Sequence, residues 1–197
     1  RVVGSKDVLV VATTRPETLL GDTAVAVNPN DERYKTLIGT NVQLPLTGRE
    51  IPVIADEYVD MNYGTGAVKI TPAHDPNDFE IGERHSLERI QVIGYDGTMI
   101  NVGHPYLGLP ALDARKKILA ALEIEELRRG ETDIEHAVGH CYKCGTVIEP
   151  LVKDQWFLSM KPLVAPAIEA IEAGEIRFVP ENRGKLLIQY YKNIRDW

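Results

Sequence analysis

The chain has 197 residues, 44% hydrophobic and 26% charged, enough to bury a core as one large domain or as a domain with an appendage. Its net charge of -7 argues against a protein that grips nucleic acid unaided, because nonspecific affinity comes mainly from Lys and Arg neutralising phosphates. Two cysteines, Cys141 and Cys144, exclude a disulfide framework, and no apolar run approaches the ~20 residues of a membrane helix, so a reducing, cytoplasmic setting is expected.

The run DVLVVATT (7–14) is β-branched and apolar and stops at Arg15-Pro16, which predicts a buried strand leading into a turn. TAVAVN (23–28) predicts a second strand. NVQLPL and IPVIADEYVD flank Thr47-Gly48-Arg49 and predict a hairpin or two neighbouring strands, and GAVKIT (66–71) a further strand. A helix is expected from about Pro76, with Asp75 as its N-cap. IQVIGYDGTMI reads as a strand with a turn at Asp96-Gly97, and LDARKKILAALEIEELRRG as an amphipathic helix closed by Gly130. HAVGHCYKCGTVIEPLVKDQWFLSM returns to strand-like alternation before a helix in PLVAPAIEAIEAG and the amphipathic LLIQYYKNIRDW. Beginning at Arg1 and ending at Trp197, the sequence reads as a piece of a longer protein.

Polar residues crowd the exits of apolar strands in two places. In Thr13-Thr14-Arg15-Pro16-Glu17-Thr18, three hydroxyls and a guanidinium can bind a ribose, a phosphate oxygen or base edges, although the hexapeptide also reads as an ST-type turn with a surface Arg. In the second, Gly64 and Gly66 allow close backbone approach, and Lys69 and Thr71 alternate onto one face of the strand. Asp75 and Asp78 follow at a helix start, where paired anions near a hydroxyl-rich wall suit a substrate with an ammonium group and a hydroxyl. Capping alone also accounts for such a pair.

Gly64-Thr65-Gly66 is not a dinucleotide fingerprint, since no third Gly follows and the glycines precede a strand. His74 and His85 are too widely spaced for a metal pair, and Ser5, Ser86 and Ser159 have no nucleophile setting. Cys141 and Cys144 form half of a zinc site, for which His136 and His140 are candidate ligands; no metal is assigned, and zinc stays an open alternative.

ATTRPETLLGDTAVAVNPNDERY followed by GTGAVKITPAHDPNDFEIGERH closely resembles the inserted editing domain of valyl-tRNA synthetases, and the likeness extends through HCYKCGTVIEPLVKDQWF. Isoleucyl and leucyl enzymes share the outline, but the ETLLGDTAVAV and VKITPAHDPND runs favour the valyl branch. The resemblance implies an α+β fold: a β-barrel-like editing core at 1–131 with surrounding helices, and a connecting or docking segment at 132–197 leading back to the catalytic domain. It implies an aminoacyl-tRNA ester hydrolase that removes threonine from valine tRNA, with no cofactor for editing and no ATP-using site. Its partners would be the aminoacylated 3′ end of valine tRNA, threonyl-adenylate and the remainder of the synthetase, with no membrane. Thr13, Thr14, Arg15 and Thr18 would line the pocket for the terminal adenosine and ester, Tyr63 would stack near the base, and Lys69 and Thr71 would contact substrate. Asp78 would hold the ammonium group and Asp75 would accept the threonine hydroxyl, with Asp78, Thr18 and Lys69 as the catalytic set. His74 is the conventional candidate for a general base, without a residue that stands out for the role. The alternatives are an editing domain of a related synthetase with another target amino acid and a non-catalytic module that docks tRNA.

Overall fold

A computed structural model describes residues 1–135 and 137–197. The chain divides into two compact units, Arg1–Val152 and Lys153–Trp197. No helix among the described residues is long and apolar enough to cross a membrane.

At the centre of the first unit is β1 (Ala24–Val27), whose four residues are all buried. It pairs in parallel with β3 (Glu50–Ala55) and antiparallel with β4 (Ala67–Ile70), while β2 (Asn41–Gln43) forms the outer antiparallel partner of β3. A central strand covered on both faces needs an unbroken apolar run, and Ala-Val-Ala-Val supplies one. Its alternation also sorts the core. Val25 and Val27 pack with Val42, Val53, Ile93, Met99 and Ile118, whereas Ala24 and Ala26 pack with Val59, Ile70 and Ile81. Helix α1 (Pro76–His85) contributes Ile81 to the alanine face, and α2 (Ala111–Ile124) contributes Ala114 and Ile118 to the valine face. Each fully buried Ile is worth about 1.5–3 kcal/mol against exposure, so the two helices are held by a few such anchors.

The α+β class, the β2–β3 hairpin, β1, β4 and the helix from Pro76 agree with expectation. The four-stranded sheet, in the order β2-β3-β1-β4, is open and not closed into a barrel. Other elements differ from the sequence reading. Residues 7–14 form no strand: Leu9 and Val11 pack partly against the core, but Val8 and Val10 are exposed and no neighbouring strand pairs with the segment. Around the Asp96-Gly97 turn, only an isolated bridge between Ile93 and Met99 replaces the expected strand. Helix α2 stops well before Gly130. Glu126 adopts φ 57, and Leu127 N donates to Leu122 O at 2.8 Å while Glu126 N donates to Glu123 O at 3.0 Å, a Schellman closure with Glu in the left-handed position usually given to Gly. Between 137 and 152 only the His140–Val147 bridge is strand-like.

The second unit is a helical hairpin of α3 (Lys161–Glu172) and α4 (Asn182–Lys192). Its ends are tied by reciprocal main-chain bonds between Leu158 and Trp197, at 2.5 and 3.0 Å. Phe178 lies so close to Gly184 that a Cβ there would fall 2.9 Å from its ring.

Candidate functional site

The two polar clusters of the sequence meet in space at two points, and a third contact brings Gly64 against Ala12, just ahead of the first cluster. Lys69 Nζ donates to Thr18 Oγ1 at 2.8 Å, Arg15 Nη1 donates to His74 O at 2.8 Å, and a Cβ on Gly64 would touch Ala12 Cβ at 3.4 Å. Each follows from local structure. Pro16 opens the 3-10 helix Pro16–Gly21, which turns Thr18 inward, and the pleat of β4 places Lys69 and Thr71 on one face. Gly66, at φ 77, is pressed against the Arg33 guanidinium with Met61 O 3.1 Å from its would-be Cβ, so its closeness serves the protein's own packing and not a ligand.

Lys69 is the hub of a buried network. Its three ammonium protons go to Thr18 Oγ1, to Asp22 Oδ1 at 3.0 Å and to Thr71 Oγ1 at 2.6 Å, while Thr71 Oγ1 donates to Asp22 Oδ1 at 2.5 Å. Thr18 Oγ1 donates in turn to Arg15 O at 3.0 Å. Every proton of this ammonium therefore has an acceptor inside the protein. Burial pushes the Asp22 carboxyl upward against the pull of Lys69 and Thr71.

Asp78 and Asp75 behave differently from each other. Asp75 is the N-cap of α1: one oxygen accepts from Asn77 N at 2.8 Å and Asp78 N at 3.1 Å, leaving its other oxygen without a hydrogen bond from the described residues. Asp78, 9% exposed, accepts the Thr71 main-chain N–H on Oδ2 at 2.8 Å, and its Oδ1 accepts no hydrogen bond from the described residues. Burial, and then the charges of Asp75 and Asp22, push Asp78 up to about 6, against the Thr71 N–H and the Lys69 charge. Such a carboxylate is costly to keep ionised until a cation arrives.

Arg15 is half-buried and fully engaged. Besides His74 O it reaches Glu17 Oε1 at 3.3 Å and forms an ion pair with Glu149. Glu17 is itself buried and holds Arg115 from α2 at 2.7 and 2.9 Å. Burial raises the Glu17 carboxyl, but the Arg115 bond and the nearby guanidinium charges outweigh it and hold the group below the usual glutamate range. His74 is buried, with Nε2 accepting from Val92 N at 2.8 Å and from Ile93 N at 3.3 Å. That fixes the ring proton on Nδ1, and burial together with the Arg15 charge lowers His74 to about 4. A neutral ring whose basic nitrogen already serves two main-chain donors is not available as a general base.

Thr13 and Thr14 are exposed, and Thr13 Oγ1 accepts Arg15 N at 3.0 Å, the ST turn that the hexapeptide predicts. Tyr63 is 70% exposed on the loop before β4. Tyr58 also stands near the acid pair: burial and the charges of Asp75 and Asp78 raise its phenol. Sequence reasoning missed Tyr58, Asp22, Glu17 and Glu149. Asp22 and Lys69 did leave a signal, each being a charge inside an otherwise apolar strand approach, where burial demands a partner.

Cys144 Sγ lies 3.2 Å from Thr146 Oγ1, and the His140 ring contacts Val138 O at 2.9 Å. No cluster of three metal-binding side chains occurs among the described residues, and His136 lies outside them.

Comparison with known proteins places the chain in a family. A family model described as the leucyl-tRNA synthetase editing domain matches residues 30–108. Valine–tRNA ligase of Carboxydothermus hydrogenoformans is 59% identical over 96% of this chain, and that of Thermotoga maritima 55% identical over 100%. The chain is an editing-domain segment of the valine–tRNA ligase family. It spans 22% and 23% of the length of those two relatives, so it corresponds to part of a larger enzyme. The crystal structure of GlLeuRS-CP1 shares the fold of this editing domain, with a TM-score of 0.50 and 18% identity, over 62% of this chain and 83% of the other.

Proposed function

We propose that this editing domain hydrolyses threonine wrongly esterified to valine tRNA. The observation that carries the reading is Asp78: a nearly buried carboxylate with one oxygen fixed by Thr71 N–H, the other unfilled, and a second acid alongside. An ammonium group from an aminoacyl ester supplies the missing charge and a donor for the free oxygen.

Valine and threonine are nearly isosteric, and valyl enzymes are the standard illustration of why a second, hydrolytic sieve is needed. That sieve must read polarity. Asp75 keeps an oxygen free after capping α1, and a threonine hydroxyl donates to it; valine leaves it unsatisfied at about 1–3 kcal/mol, a factor of about 5 to 150. Thr13 and Thr14, exposed beside Arg15, contact the terminal adenosine, and Tyr63 offers its face to the base. Thr18, Lys69 and Thr71 act by holding the two loops in register.

Hydrolysis places a water on the ester carbonyl. The bond between carbonyl carbon and ribose oxygen breaks, one proton of the water restores the ribose hydroxyl, and the other passes to solvent as threonine leaves as its carboxylate. With His74 committed to the Val92 and Ile93 amides, activation rests on the positioned water and the neighbouring ribose hydroxyl. Threonyl-adenylate presents the same ammonium and hydroxyl and fits the same two acids. The test is deacylation of valine tRNA charged with threonine, valine or isoleucine by the full-length ligase: threonine is released fastest, and preference for another amino acid assigns the site to that one instead.

A further inference from the structure

Asp22 lies between Gly21, the last residue of the 3-10 helix, and the strand approach Thr23, and its side chain is 2% exposed, so it cannot touch a substrate. It nevertheless accepts from both polar groups of the β4 face, Lys69 Nζ and Thr71 Oγ1. Thr71 is the residue whose main-chain N–H holds Oδ2 of Asp78. The next residue is tied to β4 through the main chain, since Thr23 N donates to Ile70 O at 2.9 Å. A side chain that fixes the Thr71 hydroxyl on one side thereby fixes where the Thr71 amide points on the other.

We propose that Asp22 is a positioning residue for editing, orienting Asp78 toward the substrate ammonium through the Thr71 hydroxyl and the Lys69 ammonium. The inference rests on the ammonium-anchor reading of Asp78. Asp22 gathers the adenosine loop, through Lys69 and Thr18, and the acid pair, through Thr71, onto one carboxylate oxygen. Its charge has a separate, opposing effect: Asp22 and Asp75 resist ionisation of Asp78 while Lys69 favours it, and Asp75, Asp78 and Glu80 in turn add to burial in raising the nearby Tyr58 phenol.

The test uses the full-length ligase with Asp22→Asn, which keeps the shape and an acceptor but removes the charge. Thermal unfolding establishes that the variant is folded, and kcat/KM for deacylation of threonyl-tRNA is followed against pH. The expected result is a fall of at least tenfold in kcat/KM, with the acid limb displaced to lower pH because Lys69 then acts on Asp78 unopposed by Asp22. A folded Asp22→Asn enzyme with unchanged kcat/KM and an unmoved acid limb overturns the proposal. If that variant does not fold, Thr71→Val, which deletes the hydroxyl but keeps the amide, is compared with Thr71→Ser. The proposal requires the valine variant to lose at least tenfold more activity, and equal rates for the two overturn it. Failure of the underlying reading looks different: the unsubstituted ligase releases no threonine, or Asp78→Asn releases it at the normal rate.

Discussion

Thr71 N–H donates to Asp78 Oδ2 at 2.8 Å across seven residues of chain, joining the end of β4 to the first turn of α1. This bond leaves Asp78 with one committed oxygen and one open one, in surroundings that resist its charge. Removing that charge should therefore strengthen the fold. Asn at position 78 can still accept from Thr71, and Asp78→Asn is expected to raise stability at pH 7.5 by roughly 1–2 kcal/mol in thermal or denaturant unfolding. A loss of stability would mean that the open oxygen has a structural partner.

The pH dependence of editing follows from the same group. Asp78 must be ionised to hold an ammonium, and in the free enzyme it titrates at about 6. The acid limb of kcat/KM should fall near that value, well above the ordinary aspartate range. Measurement of kcat/KM between pH 4.5 and 8 checks this, and a profile flat down to pH 5 would be inconsistent with an elevated Asp78.

Asp78 and His74 contribute opposite trends to stability in acid. Because Asp78 is raised from 3.8 to about 6, its destabilisation is relieved as pH falls through that window. Because His74 is lowered from 6.5 to about 4, its stabilisation is lost as pH falls through 6.5 toward 4. His74→Gln, neutral at every pH and able to accept from the Val92 amide, should unfold more readily than the unsubstituted protein at pH 7. The difference should shrink toward pH 4 if unfolding is followed across that range.

The Glu17 carboxylate is buried between Arg15 and Arg115. Arg115→Met should cost about 1–3 kcal/mol, less than the ~3–5 of a fully broken buried pair because Arg15 remains at 3.3 Å. Adding Glu17→Gln should recover part of the loss, since a buried carboxylate held only by the longer Arg15 contact is then removed. Urea unfolding of both variants gives the comparison.

Much of this architecture was legible in the sequence where a local rule had a single solution. Asp75-Pro76 marked the start of α1, TAVAVN a strand, and Thr47-Gly48-Arg49 a hairpin or two neighbouring strands, where β2 and β3 do pair as a hairpin. The motif residues Thr18, Lys69, Thr71 and Asp78 do gather at one place. Partners set by tertiary contact were not legible. Residues 7–14 have the composition of a strand but no strand beside them, and Glu126 ends α2 in a conformation that its side chain does not advertise. Nothing local links Arg15 to Glu149 or Glu17 to Arg115, which are far apart along the chain. Lys69 could be identified as a charge in an apolar strand, but whether it faces a substrate or an internal acid depends on Asp22, and only the fold brings that acid to it.

The most direct measurement is release of amino acid from valine tRNA charged with threonine, by the full-length ligase and its Asp78→Asn variant. The unsubstituted enzyme should release threonine rapidly and valine much more slowly, and Asp78→Asn should lose at least a hundredfold in threonine release, about 2.7 kcal/mol or more of transition-state stabilisation. Threonine release by folded Asp78→Asn at the unsubstituted rate would contradict the ammonium-anchor reading of Asp78.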